Sequence, residues 1–418
     1  MYYMSEVSFP SQVLRGCGID VHLKVVVATI KGEGIRKETR SFNTFTSSLT
    51  ELKEWLLQNG ITHVAMESTG VYWKPVYHVL EDAIPNVWIV NARHIKNVPG
   101  HKTDKMDSEW ICKLLLAGLL KPSYIPPKEQ RQLRDLTRYR NKLIQHVSSE
   151  KNRIMRILED CNIKLSSVVS NTSGTTATKL IDWLCEGKFI TLQDIESIYH
   201  GRLSATPEEL LKACTGFVES HHVYMLQMIR RDIDQTTVLI DELGVKIREV
   251  LSKYDNAIEL LKEIPGFSDK VVEDLVAEIG FDMSKFPSEK HLASWAGICP
   301  GNNESAGKKK SGRITHGNKQ VKAVIVEAAW AATRTKNTFF SERYHRIAAR
   351  RGKKRGLIAV AHSQIVAAYL ILSTGARYHE LGAQYQQEKI EKKRKAYLTA
   401  ELKKLGYSVA LEKKIATE

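Results

Sequence analysis

Three apolar, largely β-branched runs follow one another between residues 14 and 44, with no room for a helix between them. They read LRGCGIDVH, KVVVATI and RKETRSFNT, and the turn KGEG joins the second to the third. The period then changes. SLTELKEWLLQNG reads as a helix capped by Ser47 or Ser48 and stopped at Asn59 and Gly60. ITHVAMEST is a fourth strand, VYWKPVYHVLEDA a helix despite Pro75, and NVWIVNA a fifth strand. A further helix runs from HKTDKMDSEW into ICKLLLAGLL.

This element order is that of a ribonuclease-H-like α/β domain. No G-x-G-x-x-G follows the first strand, which excludes a dinucleotide-binding pattern. The acids of the segment then stand out. Asp104 and Asp107 share a helical face with Ile111 and Leu114, in a stripe that Leu115 and Leu119 extend. A helix macrodipole accounts for acids in a first turn, but Asp20 at the centre of the first strand and Glu67 at the end of the fourth face the same edge. Four converging carboxylates repel one another and cost desolvation, which divalent cations relieve. Hard Mg²⁺ prefers oxygen ligands, and Mn²⁺ can substitute. Two such ions about 3.5–4 Å apart activate a water and stabilise the leaving oxygen of a phosphodiester.

The chain has 62 Lys and Arg against 47 Asp and Glu, a net charge of +15, which favours a polyanionic partner: nucleic acid first, an anionic membrane surface second. No apolar run reaches the roughly 18–20 residues of a membrane span, and the first residues lack a signal-peptide core, so no membrane partner is expected. The six cysteines lie far apart without a Cys-x-x-Cys pair, arguing against disulfides and zinc and for a reduced, cytoplasmic protein.

Four regions follow: an α/β domain over 14–125, a helical coiled-coil or linker region over 126–256, a mainly helical domain over 257–380 and a charged helical tail over 381–418. PSYIPPK is a stiff connector. Leu133, Leu136, Leu143, Val147, Ile154 and Leu158 give the long helix beyond it one apolar stripe, with Arg and Lys recurring between Lys128 and Lys151. A second long helix, striped by Met225, Ile229, Ile233, Ile240, Leu243 and Ile247, can pair with it as an antiparallel hairpin; His221 and His222 read as its start rather than a metal site. Residues 165–178 are a Ser/Thr-rich loop. AIELLKEIPGFSDKVVEDLVAEIG resembles a helix-hairpin-helix, whose small turn residues let backbone amides approach a phosphate.

From 301 to 356 fifteen Lys and Arg face three acids, a local +12, the footprint of a phosphate-backbone contact. Its bases include Lys308, Lys309, Lys310, Arg313, Lys319, Arg350, Arg351, Lys353, Lys354 and Arg355. Ser305 lies in the glycine-flanked stretch GICPGNNESAG; a serine hydroxyl there could attack a phosphodiester, although serines in such loops are mostly turn formers. LIAVAHSQIVAAYLILSTG reads as a core helix.

GIDVH, AMESTGVYW and HKTDKMDSEW resemble the three blocks of the DEDD transposases of bacterial insertion sequences, relatives of the Piv DNA invertases, whose first domain is similar to the junction resolvase RuvC. The resemblance covers nearly the whole chain and implies a metal-holding tetrad of Asp20, Glu67, Asp104 and Asp107. It also implies a nucleophilic serine in the C-terminal domain at Ser305, with Ser311 in KKKSGR as the fallback. Further implications are a homo-oligomer, dimer or tetramer, with carboxylates and serine from different subunits, and a structured guide RNA that pairs with donor and target DNA. The rival in the same class is a RuvC-like structure-selective endonuclease that hydrolyses junctions with the carboxylates alone. A nucleic-acid scaffold with a decayed site is disfavoured by four intact carboxylates.

Overall fold

The structure, a computed structural model, describes residues 13–68, 70–91, 107–172, 174–200, 203–300, 303–305, 308–311, 314 and 316–410; for 303–305, 308–311 and 386–390 it describes the backbone path only. Asp104 and Arg313 lie outside the described residues. The chain forms two compact units, residues 1–126 and 127–418.

The first unit is a mixed α/β layer structure. Strands β1 (Arg15–Val21), β2 (Val25–Gly32), β3 (Ile35–Asn43), β4 (His63–Glu67) and β5 (Asn86–Val90) form one sheet in the order β3-β2-β1-β4-β5. The first three pair antiparallel, while β1 and β4, and β4 and β5, pair parallel. This is consistent with a ribonuclease-H-like domain. β3 closes one edge with the charged run RKETRS exposed, which discourages pairing with another sheet.

Alternation along β1 divides its two faces. Cys17, Ile19 and Val21 enter the core shared with helices α1 (Thr46–Gln58) and α2 (Trp73–Leu80), through Leu49, Leu52, Trp55, Leu56, Val76 and Leu80. Gly16, Gly18 and Asp20 face the other way, towards helix α3 (Asp107–Leu116), which buries Ile111, Leu114 and Leu115 with Ala65 and Val90. Helix α1 begins one or two residues before the expected caps: Phe45 takes the N-cap position and makes no side-chain cap. Pro75 is accommodated because it falls in the first turn of α2, where no intrahelical N–H is needed. Leu119 does not extend the stripe of α3. The helix ends at Leu116, Gly118 turns the chain with φ +67°, and Leu119 is 57% exposed while Leu120 is buried.

In the second unit, α4 (Lys128–Asp160) and α9 (Ser220–Leu251) form the antiparallel hairpin, paired by Lys253 with Glu129, His146 with Asp232 and His222 with Asp160. At its far end Ile154, Leu158, Leu226, Ile229 and Ile233 join α5 (Leu165–Val168), α6 (Thr175–Cys185), α7 (Leu192–Ile198) and α8 (Pro207–Cys214) in a separate helical core. The Ser/Thr-rich stretch therefore contains helix starts rather than a plain loop; buried Thr176 donates to the Ile198 carbonyl at 3.1 Å.

At its near end Leu133, Ile247 and Leu251 join a second core built on α10 (Asp255–Lys262), α11 (Asp269–Ile279), α12 (Glu289–Trp295), α13 (Lys319–Ala332), α14 (Phe339–Arg351) and α15 (Lys353–Thr374). Between α10 and α11 Gly266 (φ +90°) presses on the backbone of α13, where an added Cβ would stand 2.2 Å from the Ala328 carbonyl oxygen. The expected helix-hairpin-helix turn thus uses its glycine for internal packing. Helix α15 is, contrary to the reading of the bare sequence, long and apolar enough by composition to cross a bilayer. Its Val360, Ala361, Ile365, Ala368 and Ile371 are buried in the core of this unit. Between α12 and α13 the short strands β6 (Asn303–Ser305) and β7 (Lys308–Ser311) form a hairpin, and α16 (Tyr385–Lys404) is a charged helix, exposed over 391–398.

Candidate active site

Three of the four expected carboxylates meet at the ends of the adjacent interior strands β1 and β4 of the first sheet. β1 and β4 run parallel with Gly18 beside Ala65 and Ile19 beside Met66, so Asp20 and Glu67 fall one step further along, at adjacent strand ends. Both lie on the face covered by α3, as Gly18 and Ala65 do. Asp20 stands next to the end of β1 rather than at its centre, because the chain turns back at once through the His22 N–H, which donates to the Val25 carbonyl.

Close packing brings Asp107 to the same place. A Cβ on Gly18 would lie 2.2 Å from the Ser108 carbonyl oxygen and 2.3 Å from the Cys112 nitrogen, so α3 crosses β1 with backbone against backbone. Two side chains fix its register. The Ser108 and Thr29 hydroxyls hydrogen-bond at 2.8 Å in the interior, and the Cys112 thiol donates to the Gly16 carbonyl at 3.4 Å. Asp107, the first residue of α3, is thereby held over Asp20.

The electrostatics record that proximity. Burial pushes the Asp20 carboxyl above its ordinary value, and the charges of Asp107 and Glu67 push the same way. His22 opposes them, its Nε2 lying 2.9 Å from an Asp20 oxygen. An all-oxygen donor set in which burial and neighbouring acids disfavour the charged carboxyl is short of positive charge, and a divalent cation supplies it. Glu109, the other acid of this turn, is already engaged: Lys113 and Lys37, at 2.9 and 3.1 Å, hold its carboxyl below the usual range.

Gly18, Ser108 and His22 do not stand out in the sequence as site residues. His22 carries a readable signal, two residues beyond Asp20 in GIDVH and so on the same face; the roles of Gly18 and Ser108 depend on a packing partner about ninety residues away.

Ser305 ends β6 in the second unit, on the hairpin between α12 and α13. Lys308, Lys309 and Lys310 form β7, and Lys319 is exposed at the first position of α13. Arg350 and Arg351 end α14, and Lys353, Lys354 and Arg355 begin α15, all five exposed about Gly352. Another group gives no signal in the sequence: His146, Glu150 and Asp232, whose potential ligand atoms lie within 4.8 Å of one another. Here His146 bonds Asp232 at 2.7 Å and Glu150 pairs with Arg153 at 3.2 Å, so each side chain already has a partner, and the first pair ties α4 to α9.

Residues 17–163 match a family model for the DEDD transposases of the IS110 type, described as a transposase. Residues 258–345 match a second, described as the transposase IS116/IS110/IS902 family. The first match runs through β1 to the end of α4, and the second from α10 into α14. No curated protein matches the chain. A DEDD transposase domain points to the use of a divalent metal.

Proposed function

We propose that this chain, which carries transposase domains of the IS110 family and is therefore a DNA transposase/recombinase, moves its insertion sequence by Mg²⁺-dependent cleavage and rejoining through a serine-linked intermediate. The observation that carries the reading is the meeting of Asp20, Glu67 and Asp107 at the ends of the interior strands β1 and β4, with the Asp20 carboxyl pushed up by burial and by the other two. With Asp104 they would hold Mg²⁺, or Mn²⁺ in its place. The bound ion would supply positive charge to the scissile phosphate.

The protein's own part is then positional. Ser305 Oγ attacks phosphorus; its bond forms as the bridging bond to the leaving deoxyribose oxygen breaks, and the serine proton is passed on as that oxygen takes one up. Because one phosphoester replaces another, the bond energy is conserved and the reverse attack rejoins the strand. The exposed bases at 319 and 350–355 suit phosphate backbones and read no sequence. A structured guide RNA would supply that readout by pairing with donor and target DNA, and a dimer or tetramer would bring carboxylates and serine from different subunits to one phosphate.

The test is a trapping assay with full-length protein, its co-expressed RNA, Mg²⁺ and labelled element-end DNA, denatured before separation. A protein–DNA adduct lost in both Ser305→Ala and Asp107→Asn is the expected result. Cleavage without an adduct, unaffected by Ser305→Ala, would assign the chain to the structure-selective nuclease reading instead.

A further inference from the structure

The hairpin that bears Ser305 leaves the helical body and returns to it through a narrow neck. The Asn318 N–H donates to the Trp295 carbonyl at 2.9 Å, and Pro300 and Ile314 form an antiparallel bridge. A Cβ on Gly317 would stand 2.3 Å from the Gly297 nitrogen and 2.5 Å from the Trp295 oxygen, so the two edges of the neck touch. Asn318 is also the N-cap of α13: its Oδ1 accepts from the N–H groups of Gln320 at 2.9 Å and Val321 at 3.3 Å. Its Nδ2 points the other way and donates to Glu278 Oε2 at 2.9 Å.

Glu278 is an unusual residue to find there. It lies on α11, whose residues from Val271 to Ile279 are all buried, and it is 2% exposed itself. A buried carboxylate is costly unless its oxygens are satisfied. Arg138 of α4 satisfies them bidentately, Nε to Oε1 at 2.7 Å and Nη2 to Oε2 at 3.0 Å, and Arg134 Nε stands 3.5 Å from Oε2. Gln130 and Arg134 of the same helix donate to the backbone carbonyls of Ala277 and Glu278, closing the C-terminus of α11. One carboxylate thus takes donors from the long hairpin helix on one side and from the neck on the other.

We propose that Glu278 is a positioning residue for strand transfer: through Asn318 it sets the neck of the Ser305 hairpin and couples that neck to α4. The inference rests on the reading of Ser305 as the nucleophile. A purely structural role would be confined to capping α13, and the two functions of Asn318 use different atoms, so they can be separated. Asn318→Asp keeps an oxygen for the cap and replaces the donor with a second carboxylate against Glu278. Asn318→Ser also keeps an oxygen for the cap and removes the amide donor, and it adds no charge beside Glu278.

Full-length proteins would be compared for DNA affinity, for the rate of adduct formation at saturating DNA, and for hydrogen exchange over residues 296–318. The expected result for both variants is an adduct rate reduced about tenfold, unchanged DNA affinity and faster exchange in the neck. An unchanged rate in Asn318→Ser, with or without a loss in Asn318→Asp, overturns the proposal. Should the unaltered protein form no adduct, the serine reading fails; the coupling is then judged by exchange alone, and equal protection of the neck in Asn318→Asp overturns it.

Discussion

At the scale of the residue, the site is governed by one carboxyl, that of Asp20. Its ionisation is disfavoured in the fold by burial, then by Asp107 and Glu67. A carboxyl raised in the folded state makes the native protein bind more protons than the unfolded chain, so without metal this group costs stability as pH rises through its unfolded value and onward. Asp20→Asn should therefore melt higher than the unaltered protein in chelator at pH 7, with the difference shrinking towards pH 4, as thermal denaturation at the two values will show. Added Mg²⁺ should raise the melting point of the unaltered protein and leave that of Asp20→Asn nearly unmoved. The converse pattern, a variant less stable at pH 7 in chelator, would mean that the carboxylate is stabilised by its surroundings and would count against a metal site. Much of this is readable from the residues alone. Asp20, Glu67 and Asp107 can be placed because strands alternate and helices repeat, so a residue's face follows from its position. His22 follows by the same rule.

At the scale of the element, the informative contacts are those that sequence periodicity does not reach. α3 lies on β1 without side chains between them at Gly18, and a methyl group there meets backbone on the helix. Gly18→Ala should destabilise the first unit by about 1–3 kcal/mol and displace Asp107 from Asp20. Strand cleavage at a temperature where the protein remains folded should fall by more than the unfolded fraction explains, measured beside circular dichroism.

The long helix α4 shows a second limit of legibility. Its arginines read as solvated or nucleic-acid-facing, yet Arg134, Arg138 and Arg140 turn inward onto α11. Arg140, 5% exposed, meets Glu273 and Asp274, and Lys270 and Asn141 bond the same aspartate. The partners lie more than 130 residues away, and α11 carries three buried acids, Glu273, Asp274 and Glu278, within a stretch buried all round, which no amphipathic pattern announces. Removing one member of a buried ionic group leaves the others uncompensated. Arg140→Met should cost about 3–5 kcal/mol in urea denaturation, and Glu273→Gln with Asp274→Asn in the same chain should return part of it.

At the scale of the whole molecule, charge is uneven. The bases at 350–355 stand together on the exposed junction between α14 and α15. Replacing Arg350, Arg351, Lys353, Lys354 and Arg355 by alanine should weaken binding to all duplexes alike and flatten the salt dependence by about 0.9 in log–log slope for each phosphate left without its cation. An unchanged slope in filter-binding titrations would place the nucleic acid elsewhere. The division into an α/β unit and a helical remainder is legible because the strand runs end with β5 at Val90 and the connector PSYIPPK spans the boundary at residue 126. The helical region at the far end of the long hairpin is less so, since its four helices are short and two begin inside a Ser/Thr-rich stretch.

The neck between Gly297 and Gly317 has a last consequence, for how such proteins can diversify. Its two ends are held together by contacts that do not involve the segment they enclose. Lengthening an enclosed loop adds only about 0.6 kcal/mol of closure entropy per doubling, so the segment between Pro300 and Ile314 can change in length while buried Ile298 keeps its place in the core. Drift, insertion or grafting there can retune which phosphate is reached while α12 and α13 keep their register, leaving chemistry free to vary on a scaffold that does not.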